Sequence, residues 1–130
     1  LLADGGAIVN IGAVVGLRGY PGDVAYGSAK AGLSGLTQTL AVELAPRGVR
    51  VNLVIPGFVD TEMTAGLTAT SRATIVDGIP MGRPGRADEI ADVVWAVAGA
   101  SYMTGATIPV DGGLMASFGA PARGRRGPAR

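Results

Sequence analysis

The chain has 130 residues, of which 48% are hydrophobic and 16% charged, and its eleven basic and ten acidic side chains leave a net charge of +1. That length suits one domain, and the composition excludes a disordered polyelectrolyte and gives no charge-based reason to expect a nucleic-acid partner. The absence of cysteine excludes a disulfide framework and thiolate-held metals, and the absence of histidine excludes a Ser-His-Asp triad and imidazole-held metals, so no metal site is expected. No stretch approaches the roughly 18 apolar residues of a membrane span, so no membrane partner is expected either. The chain opens on Leu1-Leu2-Ala3-Asp4-Gly5-Gly6 in mid-pattern, without a starting Met. We therefore expect a fragment of a longer protein, and a cytoplasmic location is the expectation compatible with the cysteine and histidine counts.

Ala7-Ile8-Val9-Asn10-Ile11 is a short apolar run after a glycine pair and predicts a buried strand. Gly12 to Gly22 is a turn-rich connection. Leu33, Leu36, Leu40 and Leu44 recur at intervals of three and four and predict a helix from about Asp23 to Leu44, ended by Pro46 and Gly48. Arg50 to Ile55 is a second apolar run, broken by Pro56-Gly57. Residues 61–86 are long, mixed and punctuated by Gly and Pro, as expected of a lid or binding loop containing short helices. A second helix is predicted from Ala87 to about Ala98, its early acids suited to a helix N-terminus. Thr107-Ile108-Pro109-Val110 predicts a third strand, near an edge because Pro109 cannot donate to a ladder.

Gly119 to Arg130 holds Arg123, Arg125, Arg126 and Arg130 and almost no apolar bulk, and it is expected to be a disordered basic tail. Without it, acids outnumber bases ten to seven. The domain is thus expected over residues 1–118. Strands alternating with helices argue for an α/β fold, with a parallel sheet, right-handed crossovers and helices on its faces. In such sheets ligands sit at the carboxyl ends of the strands, here Gly12-Ala13, Pro56-Gly57 and Asp111-Gly112-Gly113.

Tyr26 and Lys30 stand four residues apart where the long helix opens, about 40° apart around its axis. They prolong the stripe through Leu33, Thr37, Leu40 and Leu44 toward the interior or a cleft. A lysine beside a tyrosine favours the phenolate and suits the pair to moving a proton at a carbonyl or alcohol oxygen. Lys30 is the only lysine in the chain. On spacing alone, an ordinary helix pair is the simpler account.

The wider pattern resembles the second half of the short-chain dehydrogenase/reductase family, a Rossmann-like doubly wound fold. The blocks that carry the resemblance are Gly6 to Ile11, Tyr26-Gly27-Ser28-Ala29-Lys30, Val51 to Met63, Ile79 to Arg83, Tyr102 to Gly105 and Val110 to Gly113. Together they run over residues 5–114, with a flavour closest to 3-oxoacyl-acyl-carrier-protein reductases. The resemblance implies hydride transfer between NADP or NAD and a carbonyl or alcohol carbon. Tyr26 would be the acid/base. Lys30 would hold the nicotinamide ribose and favour the phenolate, and Pro56, Gly57, Val59 and Thr61 would line the nicotinamide. The substrate would be a small-molecule or acyl-carrier-linked carbonyl. Arg47 and Arg50, after the long helix, could attract an acidic carrier, although Asp4 opposes that and ordinary solvated charges are the simpler reading. Homodimers or homotetramers are implied, through the long helix and the last helix and strand.

Two departures stand out. The family serine thirteen residues before the tyrosine is Ala13 here, which has no hydroxyl to polarise a substrate oxygen. Ser28 lies about 200° around the helix from Tyr26 and is a poor substitute. The family's glycine-rich phosphate turn is also absent. A catalytically impaired member, or a truncated piece keeping only oligomer surfaces, is therefore the alternative, and weak or no NADP(H) binding is expected of this chain alone.

Overall fold

The computed structural model describes residues 4–118; the expected basic tail lies outside the described residues. Three strands, β1 (Ala7–Ile11), β2 (Arg50–Pro56) and β5 (Thr107–Val110), form a parallel sheet in the order β1-β2-β5. Ala7 pairs with Arg50 and Ile11 with Val54, while Leu53 pairs with Thr107 and Pro56 with Val110. Pro109 sits on the β5 edge strand, where its missing N–H is tolerated.

The core is β2. Val51, Asn52, Leu53, Val54 and Ile55 are at most 1% exposed, which requires cover on both faces of the strand. Helix α1 (Val24–Leu44) covers one face, and Asn10 of β1 donates to the buried Thr37 hydroxyl of α1 at 3.0 Å. Helix α3 (Ala87–Gly99) covers the other. Arg50 reaches it, and Arg50 pairs with Ala7, which faces away from Asn10. The strands advance across the sheet in one direction while their helices lie on opposite faces. The two crossovers therefore differ in hand, and the expectation that both are right-handed fails. The β2–β5 connection carries two-residue strands, β3 (Val59–Asp60) and β4 (Gly85–Arg86), and helix α2 (Ala69–Asp77), so it is not a simple strand–helix–strand unit.

The exposed face of α1 also departs from the leucine pattern. Leu36 is 48% exposed, and the buried positions are Thr37 and Ala41. Buried Asn52 donates to the Met103 carbonyl at 2.9 Å and accepts from the Ala106 N–H at 3.0 Å, fixing the turn that leads into β5. Among the described residues, no helix is long and apolar enough to cross a membrane.

Candidate active site

The carboxyl ends of the three parallel strands lie on one side of the sheet. From β1 the chain turns at Gly12 and Ala13. Ala13 is extended (φ −154°, ψ 153°), and its carbonyl accepts from the Gly16 N–H at 3.0 Å, opening a one-turn 3₁₀ helix at Val14–Gly16. Gly16 is there for space. A Cβ on it would lie 2.7 Å from the backbone carbon of Lys30, an atom locked in α1. The loop carrying Ala13 is thus seated on the turn of α1 that bears Lys30.

Tyr26 is 47% exposed, so it stands at the surface rather than on the buried stripe. Lys30 is half-buried, and its Nζ lies 5.7 Å from the centroid of the Tyr26 ring, within cation–π range. Neither the Tyr26 hydroxyl nor the Lys30 ammonium has a hydrogen-bond partner among the described residues. The pair predicted from spacing is therefore brought together, with both polar groups free to bind a ligand.

Pro56-Gly57 ends β2 between the other two strand ends. The Gly57 N–H donates to the Val110 carbonyl at 3.0 Å, and a Cβ on Gly57 would lie 2.7 Å from Cα of Asp111. Val59 and Thr61 follow, in a turn organised by Thr64. The Thr64 hydroxyl donates to the Val59 and Thr61 carbonyls and accepts from the Thr61 N–H, each at 3.0 Å. The Val59 carbonyl and Thr61 amide are thus already engaged, while the exposed Thr61 hydroxyl has no hydrogen-bond partner among the described residues.

The segment predicted as a lid is held at both ends. Thr68 caps α2, accepting from the Ser71 N–H at 3.1 Å. Arg72 of α2 pairs with Asp60 and lies 5.8 Å from the centroid of the Phe58 ring. The guanidinium holds the Asp60 carboxyl below the usual carboxylate range. Arg83 grips Glu89 through two bonds of 2.9 and 2.8 Å, and the Arg86 N–H donates to the same carboxylate at 2.9 Å. These bonds, Arg83's first, bring the Glu89 carboxyl down to about 2. A small cleft lies here, lined by Phe58, Met81, Arg83, Ile90 and Val110 among others.

Arg47 and Arg50, read from the sequence as solvated charges or as attractors of an acidic carrier, are already engaged. Arg47 forms an exposed ion pair with Asp4 at 2.9 Å. Arg50 turns inward onto the end of α3 and donates to the carbonyls of Val97, Ala98 and Ala100 at 3.3, 2.6 and 2.7 Å. Sequence reasoning did not single out Thr64 or Arg18, and it placed Asp111 at a strand end without giving its side chain a role. The Thr61-x-x-Thr64 spacing and the Asp111-Gly112-Gly113 run are local turn signals that point to two of them. Arg18 has no such signal.

The family profile described as enoyl-(acyl carrier protein) reductase matches residues 1–115. The chain belongs to the short-chain dehydrogenase/reductase family. It is 51% identical over 114 residues to the 3-oxoacyl-[acyl-carrier-protein] reductase FabG of Pseudomonas aeruginosa, an alignment covering 86% of this chain and 46% of that protein. Against carbonyl reductase family member 4 of Danio rerio the identity is 48% over 114 residues, covering 88% and 47%. A solved short-chain dehydrogenase/reductase from Serratia marcescens, a double mutant, superposes with a TM-score of 0.81 at 39% identity, over 87% of this chain and 47% of that one. The chain spans about half the length of the relatives it matches.

Proposed function

We propose that the chain is the proton-transferring part of an NAD(P)-dependent oxidoreductase that reduces 3-oxoacyl groups presented as acyl-carrier thioesters. The observation that carries this reading is the Tyr26–Lys30 pair, side by side at the strand ends of a short-chain dehydrogenase/reductase fold. The named activity of the 47–51% identical bacterial relatives supports the substrate class.

The residues present suit a nicotinamide group. The Lys30 ammonium and Thr61 hydroxyl have no hydrogen-bond partner among the described residues and would bind its ribose and amide, while Pro56, Gly57 and Val59 would line it. When bound, the cofactor, NADP or alternatively NAD, supplies the hydride that goes to the carbonyl carbon. Tyr26 gives its proton to the carbonyl oxygen, completing the alcohol. Lys30, close above the ring, stabilises the negative charge left on the phenolic oxygen. Arg72 and Asp60 tie α2 to the segment that follows the β2 end. Exposed apolar side chains on α1 and α3, among them Leu36, Val42 and Trp95, support pairing as a homodimer or homotetramer. A cytoplasmic location goes with this reading.

Ala13 favours a second reading, a member impaired in catalysis. Removing one donor from a polarised oxygen costs about 10²–10³ in rate. The test joins this chain to the remaining half of the Pseudomonas relative and follows NADPH oxidation with an acetoacetyl thioester. Ala13→Ser should raise turnover by about 10²–10³, and Tyr26→Phe should abolish it. A large gain from an inactive start identifies the impaired member. No turnover in either form refutes the reductase assignment.

A further inference from the structure

β1 and β5 flank β2, so a tie from the loop after β1 to the segment after β5 joins the two strand ends on either side of the β2 end. Among the described residues, one side chain makes such a tie. Arg18 donates from Nη1 to the Leu114 carbonyl at 2.8 Å and from Nη2 to the Ser117 carbonyl. Two carbonyls three residues apart are taken by one planar fork, a geometry that an ammonium on a flexible stem does not reproduce.

Both ends of the tie are built. On one side, the Arg18 N–H donates to the Val14 carbonyl at 2.9 Å, within the turn that Gly16 seats against Lys30. On the other, the Asp111 carboxylate accepts from the Gly113 and Met115 N–H groups at 2.9 and 2.7 Å. The Ala116 and Ser117 N–H groups both donate to the Gly113 carbonyl at 3.1 Å. Residues 111–117 are thus a closed turn, two of whose carbonyls are held by Arg18. No carboxylate pairs with Arg18 among the described residues, so its charge goes wholly into these bonds.

We propose that Arg18 is a positioning residue. It straps the 111–117 turn to the loop after β1 and so sets the wall against which a substrate lies beside Ala13 and Tyr26. The strap stands on geometry alone; what the wall does rests on the reductase reading. Surface turns held by few ties open locally while the core stays closed, so hydrogen exchange reads the strap directly.

The first measurement is amide exchange on the full 130-residue chain and its Arg18→Met and Arg18→Lys variants. Met keeps the stem and removes every donor. Exchange at residues 113–117 should speed up about tenfold or more in Arg18→Met, while β2 amides stay within about twofold. Arg18→Lys, a single-point donor, should restore only part of the protection. The second measurement places Arg18→Met in the Ala13→Ser chimera with the Pseudomonas half. KM for the acetoacetyl thioester should rise about tenfold with kcat within about twofold, the split expected when ground-state binding alone is lost. Unchanged exchange at 113–117 overturns the strap. Faster exchange with an unchanged KM overturns the positioning role. Turnover absent in every chimera, with exchange accelerated as expected, overturns the reductase reading and the positioning role with it.

Discussion

Arg50 offers the sharpest test of how this fold is held, because its guanidinium serves the interior rather than the solvent. It stands at the first position of the central strand and donates to three carbonyls at the end of α3, two of them at 2.6 and 2.7 Å. Those carbonyls stand where the helix ends and intrahelical donors run out. A charged donor contributes about 1.5–3 kcal/mol per hydrogen bond, and a cation at a helix C-terminus adds about 0.3–1 kcal/mol. Arg50 is only half-buried, so water recovers part of the loss. Counting two good bonds and discounting for that access, Arg50→Met should cost about 2–4 kcal/mol.

Met preserves most of the aliphatic stem, so the loss isolates the donors. For a domain of about 115 residues, each kcal/mol moves Tm by about 4 °C, so a fall of about 8–16 °C is expected. Arg47→Met is the control. Its ion pair with Asp4 joins side chains 51% and 76% exposed, and pairs of that kind contribute about 0–1 kcal/mol. Paired urea melts of the two variants decide the matter. If Arg50→Met loses less than about 1 kcal/mol, or no more than Arg47→Met, the α3 anchor is refuted and Arg50 returns to the set of surface cations.

Glu89 gives a pH signature. Its carboxyl falls from an ordinary 4.5 to about 2 on folding, chiefly through Arg83, so the unfolded chain binds the proton more readily. Stability is therefore fully present above about 4.5 and is lost as pH falls toward 2; Glu89→Gln should flatten that part of a plot of urea midpoint against pH. Gly57→Ala should destabilise by about 1–3 kcal/mol in the same melts, because the new Cβ meets Cα of Asp111 at 2.7 Å and backbone has to move. A neutral Gly57→Ala would mean that the β2 and β5 ends are less closely joined than this approach requires.

The sequence was most legible where hydrophobic burial decides structure. Residues 50–55 read as a buried strand because every one of 51–55 is apolar or, at Asn52, satisfied by the adjoining turn. β3 and β4 could not be read: two-residue strands have no period. The bounds of α2 within the expected loop were hidden for a related reason. Its nine residues bury no side chain fully, so no apolar stripe marks them, and its start depends on the Thr68 cap instead. Tyr26 and Lys30 were legible from helical spacing, but the exposure of Tyr26 was not, since it depends on where the loop after β1 ends. Arg50 misled because a charge opening an apolar strand looks solvated until the facing helix end is known. Arg18 was invisible because its partners are backbone carbonyls 96 and 99 residues away.

Ala13 acquires a different meaning once its surroundings are known. Its loop is positioned by backbone and by neighbours: its own carbonyl engages Gly16, Gly16 packs on Lys30, and the Gly12 N–H donates to the Val54 carbonyl at 2.8 Å. None of these contacts uses the side chain at position 13. The extended dihedrals there are ones that serine adopts without strain. A hydroxyl at position 13 would therefore add a donor without altering the support of the loop. Gly12 cannot replace it, because that position is buried and a Cβ there would run into Ile55 Cδ1 at 2.5 Å and Leu53 Cδ1 at 3.2 Å. Ala13→Ser should consequently leave the urea midpoint unchanged while turnover rises. A rise accompanied by a large change in stability would mean that the residue acts through the fold, and the separation of chemistry from architecture at this loop would be wrong.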